Sequence, residues 1–120
     1  KIVLDYAKQQ EFNKTEINLF KNILNKNIWD LAKTEIRGSG YVLQSLEASI
    51  WSFFKATNYE EAVLLAVNLG EDTDTTGTIT GGLAGLYFGL DSIPKNWLNV
   101  LARKNDITDL CDKFYKKNDQ

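Results

Sequence analysis

The sequence predicts an all-α protein. Apolar residues recur every three or four positions, no stretch holds a period-two alternation between turns, and polar capping residues head several of the apolar runs. A length of 120 residues with 43 % hydrophobic content suits one domain, residues 1–120, and is short for two separate cores.

Taken in order, Ile2, Val3 and Tyr6 suggest a short helical stretch. Thr15 is expected to cap a helix with Leu19, Phe20, Ile23 and Leu24 on one side, broken by the polar run from Asn25 to Asn27. Ile28, Trp29 and Leu31 form a short apolar turn ahead of the Gly38-Ser39-Gly40 loop. From Tyr41, Leu43, Leu46, Ile50, Phe53 and Phe54 make a helical stripe that ends near Thr57-Asn58. Asn58 and Glu61 have capping-box spacing, and Ala62, Val63, Ala66 and Leu69 carry an apolar face up to Gly70, which suits a left-handed helix stop.

Gly77, Gly81, Gly85 and Gly89 are spaced by four, which on a helix gives a strip without side chains. Each glycine costs roughly 1 kcal/mol against alanine, so close approach of a neighbouring helix is expected to offset the strip. Pro94 opens the next helix with Trp97, Val100 and Leu101 inward. Asp106 leads a last one through Ile107, Leu110, Cys111 and Phe114, and the polar tail from Lys116 to Gln120 is expected to fray.

A formal charge of −2 argues against a sequence-independent nucleic-acid binder. The absence of histidine excludes Ser-His and Cys-His nucleophile pairs and histidine zinc sites. A lone Cys111 in an apolar pattern reads as a small core or boundary residue, and with no signal peptide and no membrane-length apolar run a cytoplasmic location is expected. No Met occurs, so a segment upstream of Lys1 is expected as well.

Chemistry concentrates in Gly70-Glu71-Asp72-Thr73-Asp74-Thr75-Thr76-Gly77, where one helix stops and the glycine-rich helix starts. Carboxylates as close as Asp72 and Asp74 repel unless a cation or proton lies between them, and oxygen donors alone suit Mg²⁺ or Mn²⁺ better than zinc. One aspartate capping the helix would account for only half of the pair. An EF-hand fails because position twelve is Leu83 where a bidentate Glu is required. A D-x-D-x-T phosphotransferase would need Val63 to Val67 as a buried strand, against its helical periodicity and without further β-α units.

The run from Gly70 through Thr78-Ile-Thr-Gly-Gly-Leu-Ala-Gly-Leu-Tyr-Phe-Gly resembles the C-terminal signature of the ADP-ribosylglycohydrolase family. Ile36-Arg-Gly-Ser-Gly-Tyr-Val-Leu-Gln-Ser-Leu-Glu-Ala-Ser-Ile-Trp resembles the family's loop and following helix. Ala66-Val-Asn-Leu-Gly and Ile93-Pro94 with Trp97-Leu98 also fit, so the likeness is clearest over residues 35–114. The resemblance implies an orthogonal multi-helix bundle, incomplete here because the chain matches the C-terminal part. It also implies a metal-dependent hydrolase with two Mg²⁺ ions, or Mn²⁺, that removes ADP-ribose from a modified protein or small molecule.

On this likeness Asp72, Asp74 and Thr75 are metal ligands, with Asp74 bridging, and Gly38, Ser39, Gly40 and Tyr41 are the substrate loop. Glu71 stands where the family commonly has Gly or Asp. The catalytic Glu and a Thr-Asp-Asp cluster belong to the family's N-terminal half and match nothing before Gly38. The isolated chain is therefore expected to be inactive or nearly so. It is also expected to bind a separate N-terminal half or to self-associate through an uncovered apolar face. A noncatalytic ADP-ribose-binding or structural relative is the alternative.

Overall fold

A computed structural model describes Tyr6, residues 13–24 and residues 28–118. The described residues form helices, short 3-10 turns and loops, with no strand among them. No helix is long and apolar enough to cross a membrane among these residues. Of the Ile2–Tyr6 stretch only Tyr6 is described, helical and exposed, and the Asn25–Asn27 break lies outside the described residues.

Helices α1 (Lys14–Leu19) and α2 (Lys21–Leu24) follow each other around Phe20. Asn13 caps α1, not Thr15: its side-chain oxygen accepts the Thr15 N–H at 2.9 Å. The helix starts ahead of the apolar stripe, so the capping residue stands further upstream than the stripe implied. Leu19, expected inward, is 53 % exposed.

Three helices make the packed centre: α3 (Val42–Lys55), α4 (Tyr59–Val67) and α5 (Thr73–Phe88), each touching the other two. The 3-10 turn at Ile28–Asp30 closes against α3. Ile28, Leu31, Ile36, Ala48 and Trp51 form the core there, and the Trp51 indole N–H donates to the Leu31 carbonyl at 3.0 Å.

The deepest face of α3 is not the predicted Leu43–Phe54 stripe. Ser45, Ala48, Ser49, Trp51 and Ser52 are buried, while Leu43, Leu46, Ile50 and Phe53 are half-buried and Phe54 is 53 % exposed. The reason is close approach to α5, whose buried residues Thr76, Thr80 and Ala84 are also small. Ser49 meets its own hydrogen-bonding need by donating to the Ser45 carbonyl at 2.7 Å, which lets a polar residue lie in the interface.

The capping box at α4 forms in altered shape. Asn58 accepts the Glu61 N–H at 2.9 Å, but the Glu61 carboxylate turns to the Thr57 N–H at 2.7 Å and the Thr57 hydroxyl at 2.8 Å. Gly70 is left-handed with φ 83°, but α4 ends at Val67 with Asn68 as its C-cap, so Gly70 turns the following loop instead of stopping the helix. The glycine strip of α5 faces α4: an added Cβ at Gly77 would lie 3.1 Å from Val67 Cγ1, and one at Gly81 would lie 3.3 Å from the Tyr59 hydroxyl. Gly89 is instead the left-handed stop of α5, with φ 85°.

Pro94 caps α6 (Lys95–Val100), and Trp97 reaches the Tyr59 ring with centroids 6.3 Å apart. Val100 and Leu101, expected inward, are 84 % and 45 % exposed because α6 is too short to hold its far end on the bundle. Helix α7 (Lys104–Asn118) is exposed wherever its side chains are described, and Ile107, Leu110, Cys111 and Phe114 lie on its surface instead of in a core. The tail is helical through Asn118, beyond the expected fraying point at Lys116. The radius of gyration, 16.6 Å, exceeds the roughly 14 Å of a compact domain of this length, as an outlying helix requires.

Candidate functional site

Two loops define the site. One runs from Ile36 to Tyr41 into α3, and the other runs from Gly70 to Asp72 into α5. The chain reverses after α4 through two consecutive left-handed residues, Gly70 and Glu71 (φ 83° and 60°), which bring Asp72 to the start of α5. Glycine takes such a conformation without strain, whereas Glu71 needs outside support. Arg37 meets its side chain: the Arg37 Nε and Nη2 both donate to Glu71 Oε1, at 3.2 and 2.9 Å.

The backbone then joins the loops directly. Asp72 N–H donates to the Gly38 carbonyl at 2.8 Å. A Cβ at Gly38 would lie 2.8 Å from the Gly70 carbonyl oxygen, and one at Gly40 would lie 2.9 Å from Asp72 Oδ2. Gly38 and Gly40 are thus required by close approach to the acidic loop itself. Thr76, buried beneath, donates its hydroxyl to the Asp72 carbonyl at 2.9 Å and pins the first turn of α5.

Asp72 stands at the N-cap of α5 but makes no side-chain capping bond, so capping does not explain it. The Asp74 carboxyl is held below its ordinary value, first by the neighbouring Asp72 side chain and then by the backbone N–H groups of Asp74 and Thr75. Asp74 is exposed, Asp72 and Thr75 are half-buried, and no described residue engages the Thr75 hydroxyl. These oxygens fit a hard divalent cation in kind, and the Asp72 carboxylate is not spent on capping α5. They fall short in number, since no three acidic side chains gather into a metal-holding group among the described residues.

Of the substrate-loop residues, Gly38 is buried, Ser39 half-buried, Gly40 exposed and Tyr41 54 % exposed. Ser39 is spent on the loop itself: its hydroxyl donates to Gln44 and accepts the Tyr41 N–H, while its carbonyl accepts the Ser45 hydroxyl at 2.6 Å. No hydrogen bond joins the Ser39 or Tyr41 side chain to the acidic loop among the described residues. Of the four loop residues that the sequence singles out, the structure brings Gly38 and Gly40 against the acidic loop, while Tyr41 is the N-cap of α3. The sequence reading gave no role to Arg37, Gln44 or Ser45. Their signal was position alone, flanking the glycine loop on either side.

The sequence profile of the ADP-ribosylglycohydrolase family matches residues 3–120. An ADP-ribosylarginine hydrolase of Serratia proteamaculans is 41 % identical over 83 residues, covering 69 % of this chain and 23 % of that protein. A second, of Pseudomonas putida, is 34 % identical over 86 residues, covering 72 % of this chain and 23 % of its own. The ADP-ribosyl-[dinitrogen reductase] glycohydrolase of Rhodospirillum rubrum is 34 % identical over 68 residues, covering 57 % and 23 %. The chain thus matches about a quarter of the length of these relatives. With the profile spanning nearly all of the chain and the glycine and acidic loops joined as one unit, this chain belongs to the ADP-ribosylglycohydrolase family.

Proposed function

We propose that the chain supplies the acidic half of the site in a metal-dependent hydrolase that removes ADP-ribose from a modified arginine or another acceptor. The observation that carries the reading is the junction of the two loops: Asp72 N–H on the Gly38 carbonyl, with Gly40 against the Asp72 carboxylate. Relatives named for ADP-ribosylarginine and ADP-ribosyl protein hydrolysis support the substrate class.

Asp72, Asp74 and Thr75 would hold divalent metal, Mg²⁺ or Mn²⁺, by oxygen donors. A cation held there supplies Lewis-acid polarisation and orientation of the ribose hydroxyls around the anomeric carbon. The chain's own residues do the positioning. Gly38 and Gly40 let backbone approach a phosphate, the exposed Tyr41 ring can cover an adenosine or ribose, and the Gly38 carbonyl keeps Asp72 in register. Further metal ligands and the carboxylate that activates water are proposed to come from beyond these 120 residues.

A second reading, a noncatalytic ADP-ribose-binding or structural relative, draws on the fact that no three acidic side chains form a metal-holding group among the described residues. Mixing the chain with the complementary portion of a family hydrolase and assaying ADP-ribose release from an ADP-ribosylated arginine substrate separates the two. The hydrolase reading expects release that Asp74→Asn abolishes; the structural reading expects none.

A further inference from the structure

Charge along the segment that carries the site is one-sided. Between Arg37 and Lys95 the only Lys or Arg is Lys55, while Glu47, Glu60, Glu61, Glu71, Asp72, Asp74 and Asp91 are all acidic. Lys55 ends α3, about 20 Å along the helix from the glycine loop that begins it. Lys33 lines a different groove, beside Glu60 and Glu61. A cationic side chain beside the glycine loop is therefore scarce on this segment, and one standing there would attract a diphosphate.

Arg37 is placed to be that cation. It immediately precedes Gly38, and its partner Glu71 immediately precedes Asp72. Both of its bonds fall on one oxygen of Glu71, so two of the five guanidinium N–H groups are committed to that carboxylate. The ion pair is open to solvent, with side chains 64 % and 42 % exposed, and exposed pairs of this kind exchange partners at little cost. A planar guanidinium also matches phosphate oxygens in paired geometry.

Resting on the ADP-ribose reading above, we infer that Arg37 receives the diphosphate of the substrate beside the Gly38–Gly40 loop, and that Glu71 holds the guanidinium there in its absence. Arg37 is thus a binding residue, and Glu71 is the partner that the diphosphate displaces.

The test is calorimetric titration of ADP-ribose, ADP and adenosine into the full chain and into Arg37→Gln and Glu71→Gln, with folding checked by circular dichroism. The expected result is that both phosphate-bearing ligands bind, adenosine binds much more weakly, and Arg37→Gln weakens ADP-ribose and ADP by roughly ten-fold or more. Glu71→Gln breaks the same ion pair but leaves the guanidinium, so binding is retained or tightened. If Arg37→Gln does not fold, Arg37→Lys carries the test, with an intermediate loss expected because the charge stays and the paired geometry goes. Equal loss in Arg37→Gln and Glu71→Gln would mean the pair only braces the loops, and the inference fails. Unchanged binding in Arg37→Gln overturns it too, while the ADP-ribose reading stands. A folded native chain that takes no ADP-ribose overturns that reading, and the inference with it.

Discussion

The backbone N–H of Asp72 donates to the carbonyl of Gly38 at 2.8 Å, so the acidic loop and the glycine loop are fixed to each other across 34 positions of sequence. Local geometry at each glycine of that junction then has a distinct consequence. A Cβ at Gly38 would press on the Gly70 backbone carbonyl, which cannot swing away, whereas one at Gly40 would press on the Asp72 carboxylate, which can. Gly38→Ala is expected to destabilise the fold by about 1–3 kcal/mol in urea denaturation. Gly40→Ala is expected to cost less in stability but to displace Asp72, and Mn²⁺ titration should show weaker binding. Equal stability loss in both variants would contradict this division.

The glycines of α5 divide in the same way. Gly77 and Gly81 are pressed by Val67 and Tyr59, but nothing lies within 4 Å of a Cβ at Gly82. Gly82→Ala is therefore expected to stabilise by about 1 kcal/mol through helix propensity and a less mobile unfolded chain. Gly77→Ala is expected to destabilise, because Val67 must yield. Thermal melts of the two variants should move in opposite directions.

Acid stability should depend on Glu61. The Thr57 backbone N–H, then the Thr57 hydroxyl, hold its carboxyl below its ordinary value of 4.5. A depressed folded pKa contributes stability that is present above the ordinary carboxylate range and is lost as pH falls through the folded value. Glu61→Gln should flatten that part of the stability-pH curve below about pH 4.5 while leaving the neutral-pH fold intact. Denaturation midpoints measured across this range check it; a curve unchanged in shape would contradict the assignment.

The second face of α5 predicts association. Leu83, Leu86, Leu90 and Ile93 line an open apolar groove, and Leu86 is 89 % exposed. Exposed apolar surface of this kind attracts other apolar surface. The chain is expected to bind a hydrophobic dye and to self-associate with rising concentration, both reduced in Leu86→Lys. A dye-silent monomer in light scattering would contradict the expectation.

How far the sequence reveals this arrangement depends on which signal each part leaves. The acidic loop and the glycine loop are readable because charge pairs and glycines at fixed spacing are rare without a local reason, and the left-handed turn at Gly70 follows from its backbone freedom. Helix α3 misleads because its deepest residues are Ser45, Ser49 and Ser52, whose polarity hides an interface that small size and bonding to their own helix permit. Their spacing of four and three was nevertheless helical. Helix α7 misleads in the opposite sense: periodicity shows that Ile107, Leu110 and Cys111 share one side, but not what, if anything, covers it. The Arg37–Glu71 pair is a contact between distant loops and leaves no local pattern at all.

The central claim is that Asp72, Asp74 and Thr75 form part of a divalent-metal site. Calorimetric titration of Mg²⁺ and Mn²⁺ into the native chain and Asp74→Asn, with and without ADP-ribose, tests it most directly. The account predicts binding by the native chain, strengthened by ADP-ribose and lost in the variant, whose fold should remain intact because Asp74 is exposed. Equal binding by both proteins, or none by the folded native chain under either condition, would contradict it.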